Sequence, residues 1–293
     1  MVGRPRLDLD RILAVLVILP SVAAVGVFVY GFIGWTAYVS LSHWNSFVPD
    51  LSFAGLSNYL TLFQTPRFQI DLRNTLVFTA TFLAACITIG LGLAVLLEQR
   101  VRGESLFRSI FLFPMAISFI VTGTAWQWLL NPSTGVNLLF QYAGLPFQSR
   151  WYTDPGIAIF SVVLAATWQL SGFTMAMYLA GLRGIPGDLW EAARVDGADE
   201  WELFRHVILP LLHPVTLSAV IVLGHISLKI FDLVFAMTGS GPAFSTDVPG
   251  VFMFETTFRG NRFADGAAIA IVMLVLVGSV IIPYLRHSMR TEG

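Results

Sequence analysis

Six stretches of this chain are long enough and apolar enough to cross a lipid bilayer: 12–41, 75–97, 109–130, 156–182, 215–237 and 266–285. About 20 helical residues span the roughly 30 Å hydrocarbon layer, and a helix satisfies its own backbone hydrogen bonds there. The pattern predicts an all-α polytopic membrane helix bundle of six transmembrane helices, with residues 1–293 forming one domain. Composition agrees, because 56% of the 293 residues are hydrophobic and only 12% are charged. A soluble globular domain does not carry that balance.

Basic residues orient the spans. With the N-terminus inside, the inner segments hold Arg4, Arg6, Arg11, Arg100, Arg102, Arg108, Arg183, Arg194, Arg205, Arg286 and Arg290. The outer ones hold Arg67, Arg73, Arg150, Arg259 and Arg262. Eleven against five places both termini on the cytoplasmic side. The first apolar run follows an arginine-rich flank, as in a signal peptide, but it continues well past the roughly 7–15 apolar residues of such a signal. A retained first helix is therefore expected.

Several chemistries have no residues to carry them. The net charge of −1, without a basic run, gives no reason to expect nucleic acid. Cys86 is the only cysteine, so an intrachain disulfide or a cysteine metal cluster cannot form. Lys229 is the only lysine and no glycine-rich phosphate loop surrounds it, so ATP, if it drives this protein, is hydrolysed elsewhere. No paired carboxylates, activated nucleophile or metal-ligand spacing stands out, and the chain is expected neither to be an enzyme nor to bind a cofactor or metal.

One polar interruption dominates the second half, residues 184–214. Pro186 suits a first helical turn, and Leu189, Trp190, Ala193 and Arg194 follow at helical spacing. Gly197 ends that helix where a positive φ is needed. Asp199 with Glu202 three residues later has the form of a capping box, and Trp201, Phe204 and Ile208 give the next helix an apolar face. The expected product is two short helices joined by a tight turn, held outside the bilayer between spans four and five. Glu191 and Arg194, three residues apart, can form a solvated ion pair there.

Glu191, Ala192, Ala193, then Asp196 and Gly197, and after nine intervening residues Val207, Ile208, Leu209 and Pro210, resemble the EAA loop of the membrane subunits of bacterial binding-protein-dependent ABC importers. Val207 replaces the more usual Ile. In that family the loop is cytoplasmic and fits a cleft on the ATPase subunit, so the resemblance implies that Glu191, Ala192, Ala193, Asp196, Gly197, Leu209 and Pro210 couple ATPase closure to the membrane helices. The outer-loop phrase from Phe53 to Tyr59, the Asn74-Thr75-Leu76 entry to span two, and Phe231-Asp232 with Gly241-Pro242 resemble the sugar-permease branch, maltose- and glycerol-phosphate-like. Ser240 stands where that branch has a glycine. The resemblance implies a second, similar permease subunit, two ATPase subunits carrying ATP and magnesium, a soluble extracytoplasmic binding protein, and a place in the bacterial inner membrane.

Polar residues within the spans mark a candidate path. Ser118 and Thr122 are four apart in span three, Thr167, Ser171 and Thr174 form a stripe in span four, and Gln169 is a costly amide at membrane depth. Span five contains His225, Ser227, Lys229 and Asp232; Lys229 and Asp232 are spaced to neutralise each other on one helix. By resemblance, Ser118, Gln169, Ser227, Lys229 and Asp232 are substrate-path candidates. Carbohydrate or polyol import is the expected function. An amino-acid or peptide permease is the nearest alternative, and a secondary transporter using the ionisable residues of span five is another. The outer-loop residues Phe53, Leu56, Tyr59, Leu60 and Phe63 suggest either a short interfacial helix or a packed cap.

Overall fold

In a computed structural model describing residues 9–99 and 102–291, the apolar runs form helices. The only strand-like pairing among those residues is an isolated bridge between Ser42 and Phe53. Arg4, Arg6 and Arg100 of the inner basic set lie outside the described residues. The chain opens with α1 (Leu9–Val25), which runs through a π turn (Gly26–Gly31) into α2 (Phe32–Ser40). This segment is apolar on every side, and its most apolar 18-residue window buries nothing inside the chain. A helix hydrophobic all round faces lipid or another subunit.

Next comes α3 (Ser57–Gln64), a short helix in the 42–74 segment, where the sequence left a helix and a packed cap open. Asn58 pins it by donating to the carbonyls of Ser40 (2.9 Å) and Ser42 (2.8 Å), and Leu62 packs with Phe68, Ala268 and Ile269. Phe53, Leu56, Leu60 and Phe63 remain exposed. Then α4 (Pro66–Glu98) begins at Pro66, whose missing N–H costs nothing at a helix start. Its 33 residues measure about 50 Å, more than the hydrocarbon thickness. Residues 66–74 therefore extend the helix beyond the predicted span 75–97.

The remaining elements are α5 (Glu104–Leu112), a 3-10 turn (Phe113–Ala116), α6 (Phe119–Leu129), α7 (Val136–Tyr142), α8 (Ala158–Arg183), α9 (Gly187–Val195), α10 (Glu200–Leu203), a π turn (Phe204–Ile208), α11 (Leu209–Leu211), α12 (His213–Leu228), α13 (Asp232–Met237), α14 (Pro249–Phe254) with a π turn (Glu255–Arg259), and α15 (Phe263–Thr291). The centre of the bundle is α4 against α8. Phe78, Phe82, Cys86, Gly90 and Ala94 recur every fourth residue and are buried, which makes one ridge of α4. A Cβ on Gly90 would stand 2.7 Å from the Thr174 side chain, so the two backbones approach as closely as they do because position 90 has none. The hydroxyl stripe of span four is thus a packing surface at Thr174.

Two predicted spans are not continuous helices. Within 109–130, α5 and α6 meet at 99°. Pro114 cannot donate within a helix, the chain turns extended at Ile117, and Ser118 starts α6 afresh as its N-cap, its hydroxyl accepting from Val121 N at 3.4 Å. Ser118 and Thr122 therefore do not share a face of one long helix. Within 215–237, α12 stops at Leu228 and α13 begins at Asp232. No proline or glycine stands at 229–231. Instead, Ile230 is buried in the core and Phe231 stacks on Phe235, with ring centroids 5.1 Å apart, and contacts Phe254 at 5.5 Å. The other predicted segments overlap Val15–Ser40, Pro66–Glu98 and Ala158–Arg183, each long and apolar enough to cross a membrane, and α15, where the shorter stretch Phe263–Ser279 is apolar.

Candidate functional site

The 184–214 segment folds as its glycine stop and capping box require, but Pro186 stands just before the helix rather than in its first turn. Pro186 is extended (ψ 137°) and α9 starts at Gly187. At the other end of α9, Gly197 has φ +85°, its N–H donates to Arg194 O (3.2 Å), and Ala198 N donates to Ala193 O (3.1 Å). This is the paired-bond helix stop that glycine permits. Asp199 then accepts from Glu202 N at 2.7 Å while Glu202 accepts from Asp199 N at 3.2 Å, completing the capping box of α10. Pro210 lacks the N–H that would bond one turn back, and the preceding residues 204–208 widen into a π turn. Beyond it, α12 leaves at 60° to the Glu200–Leu211 helix.

Apolar burial holds this unit on the ends of the membrane helices. Leu203, Ile208 and Leu212 are buried with Leu97, Tyr178 and Leu182 of α4 and α8. A Cβ on Gly181 would come within 2.8 Å of Val215, so α8 and α12 cross in close contact. Tyr178 also donates to the Thr216 hydroxyl across that crossing, at 2.9 Å. Glu191, Ala192, Asp196 and Gly197 remain exposed along one side, with Leu209 and Pro210 exposed further on. Val195 is 87% exposed, a large apolar side chain with nothing over it. Arg194 turns to Glu200 (3.0 and 3.2 Å) rather than to Glu191, because the Gly197 turn brings the start of α10 beside it. A cleft of about 840 Å³ between the loop and the helix ends is lined by Trp190, Trp201, Phe204, Leu182, Val95 and Glu98.

The five path candidates separate. Lys229 and Asp232 are exposed at the two sides of the break in span five, Lys229 closing α12 and Asp232 opening α13. They lie on different helices and make no ion pair with each other among the described residues, which corrects the expected pairing. Ser118 is exposed at the break of span three. Ser227 is fully buried, accepting from Thr79 of α4 at 3.0 Å and donating to Gly224 O at 2.9 Å. Gln169 is 2% exposed and donates to Ile117 O at 2.6 Å, so it satisfies the carbonyl that the α5–α6 break sets free. No group of His, Cys, Asp or Glu among the described residues is arranged to hold a metal ion.

Residues 86–288, from the middle of α4 into α15, match the family described as the binding-protein-dependent transport system inner membrane component. The chain belongs to this family. It is an integral-membrane transport subunit. A probable ABC transporter permease protein of Pyrococcus horikoshii is 42% identical over 280 residues, covering 95% of this chain and 96% of that one. The xylose/arabinose import permease protein XacH of Haloferax volcanii is 36% identical, covering 90% of this chain and 84% of its own. The crystal structure of a bacterial alginate ABC transporter, in complex with an alginate pentasaccharide-bound periplasmic protein, has a chain that superposes with a TM-score of 0.82, covering 99% of this chain and 98% of that one. At 22% identity this last likeness shows the fold.

In this permease, several contacts have no local signal in the sequence. Arg183 at the end of α8 binds Glu98 (3.2 Å) and Glu104 (2.7 Å), and Glu104 also takes Arg108. The 98–108 turn is thereby tied, through Glu98 and Glu104, to the α8 end that leads into the 184–214 segment. At the opposite end, Arg67 is ion-paired to Asp247, 180 residues away, and to Glu255. Only their excess of polarity at helix ends hints at either cluster.

Proposed function

We propose that this chain is one permease subunit of an ATP-driven, binding-protein-dependent importer that carries a carbohydrate or related polyol across the cytoplasmic membrane. The observation that carries the reading is the α9–turn–α10 unit, whose inner face is buried on the ends of α4 and α8 while Glu191, Asp196 and Gly197 stay exposed. A unit clamped on one side and bare on the other transmits force between a partner and the helices. In this reading the chain crosses the membrane six times as one domain with both termini cytoplasmic. Two ATPase subunits bind ATP and magnesium and receive the knob through Glu191, Ala192, Ala193, Asp196, Gly197, Leu209 and Pro210. A second permease subunit covers the lipid-length apolar faces. A soluble outer protein delivers the solute; in the alginate transporter complex the corresponding component is a periplasmic protein with an alginate pentasaccharide bound. The xylose/arabinose relative and the sugar-type phrases support a hydroxyl-rich cargo.

Lys229, Asp232 and Ser118, exposed at the two helix breaks, are the groups available to line the path. Gln169 and Ser227 act behind them as positioning residues. Polar groups and irregular backbone persist at membrane depth where they line a cavity or meet protein. The test is uptake of labelled sugars into proteoliposomes holding both permease subunits, the ATPase subunits and the binding protein. Accumulation that stops on ATP depletion and survives collapse of the proton gradient supports the proposal. The opposite pattern would identify a secondary transporter, and no accumulation of any sugar would remove the substrate class.

A further inference from the structure

At the outer end of α4, before the membrane-crossing part of that helix begins, Arg67 donates through Nε to Asp247 at 2.5 Å and through Nη2 to Glu255 at 2.6 Å. Its guanidinium lies over the rings of Phe244 and Phe252, 4.7 and 4.6 Å from the centroids. Asn74 adds two bonds to the same loop, donating to the carbonyls of Phe244 (2.8 Å) and Asp247 (3.0 Å). The segment so held is strained. Ala243 and Phe244 have φ of 53° and 59°, a region disfavoured for residues with a Cβ.

Asp71 lies one turn after Arg67 and is fully buried, with neither carboxyl oxygen meeting a hydrogen-bond donor. Asp71 lies on the same side of α4 as Arg67 and Asn74, both of which bind Asp247, so it faces the Asp247 carboxyl, itself fully buried. Both arms of Arg67 are already committed to Asp247 and Glu255. The other charged groups nearby are engaged or face elsewhere. Arg259 binds Glu255 at 3.5 Å, Arg262 and Asp265 bind each other at 2.5 Å, and Arg73 lines a separate crevice with Pro155 and Ala243. His225 and Lys229 belong to α12, beside the inward part of α4, and α3 and the first turns of α8 carry no charge. Two facing buried carboxyls of which one alone has a cation do not both ionise at neutral pH.

We propose that Asp71 and Asp247 hold one proton between them, with Asp71 the neutral acid donating to Asp247, and that this pair is a proton-dependent latch fixing the 239–248 loop to the outer end of α4. Burial pushes both carboxyls up, Asp71 to about 9, and Asp247 is the one that the ion-paired Arg67 pulls back toward the ionised form. Asp71 has no such partner. The latch is independent of which solute is carried. Because the folded state keeps a proton that the unfolded chain releases above the ordinary carboxylate range, stability falls as pH rises until Asp71 itself ionises.

The test uses the full chain in lipid nanodiscs, as wild type, Asp71→Asn and Asp247→Asn. Asparagine at 71 reproduces the neutral donor, so Asp71→Asn is expected to melt at or above the wild-type temperature. It is also expected to lose the wild-type decline, which runs from about pH 4, where the unfolded chain releases the proton, to about pH 9, where Asp71 itself ionises. Asp247→Asn removes the partner of Arg67 and is expected to melt lower throughout. Infrared spectra at neutral pH should contain a protonated-carboxyl carbonyl band that shifts in heavy water and is missing from Asp71→Asn. An Asp71→Asn variant as unstable as Asp247→Asn, or wild-type spectra without that band, would overturn the shared proton.

Discussion

Truncating Glu191 to alanine separates a coupling knob from a surface helix, and the structure supplies the baseline. Glu191 is exposed on α9 and makes no ion pair among the described residues. The neighbouring Arg194 is already engaged by Glu200, in a contact whose side chains are 55% and 76% exposed and so worth little. Within the chain itself, Glu191→Ala therefore changes stability by no more than about 0.5 kcal/mol. If Glu191 docks on a basic group in an ATPase cleft, the pair is desolvated on assembly and its truncation costs roughly 2–5 kcal/mol. At about 1.4 kcal/mol per factor of ten, the ATPase subunit should bind about 30-fold to about 4,000-fold more weakly. The assay is capture of the ATPase subunit by detergent-solubilised permease across a concentration series, with substrate-stimulated hydrolysis measured in proteoliposomes. Unchanged thermal stability with lost capture is the expected pair of results. Wild-type capture and hydrolysis would refute the docking role and leave Glu191 a solvated surface group.

Other substitutions probe the geometry around it. Gly197→Val meets no steric neighbour within 4 Å, so its cost comes from the φ of +85°, about 1–2 kcal/mol or more for a branched residue; hydrolysis should be uncoupled from uptake with membrane insertion intact, and normal vesicle transport would contradict it. Gln169→Leu leaves the Ile117 carbonyl without its donor, which should lower the melting temperature by the equivalent of about 1–3 kcal/mol as well as slow uptake; slower uptake at unchanged stability would instead make Gln169 a substrate contact. Gly172→Ala would drive a Cβ to 1.8 Å from Phe111 O at the α5–α6 break, so little folded permease should be recovered, and wild-type yield would disprove the close approach.

What could be read directly from the chain rests on interactions spanning a few residues. Apolar runs of bilayer length, the glycine stop at 197, the Asp199–Glu202 box and the exposed EAA-like spacing depend on helix periodicity and backbone φ, which neighbouring residues dictate. The short outer helix belongs in the same class, although only Ser57–Gln64 of the Phe53–Phe63 stretch is helical, because Asn58 anchors it to the end of α2. Pro114 lay visible in span three, but a proline permits either a kink or a full break. It is the Gln169 amide, 52 positions away, that satisfies the carbonyl of a 99° turn.

Tertiary structure alone decided the rest. The span-five helix stops before Lys229 without a local breaker, because burying Ile230 and stacking Phe231 on Phe235 and Phe254 outweighs continuing the hydrogen-bond ladder. That choice separates Lys229 from Asp232, and the Gly197 turn likewise gives Arg194 to Glu200 rather than to Glu191. Asp71 illustrates the limit most plainly. In the sequence it is one acid in an outer loop, and it becomes a buried carboxyl without a donor only when Asp247, 176 positions later, folds against it beside Arg67. Periodicity reports which side of a helix is apolar, whereas the identity of the group opposite depends on how distant segments pack.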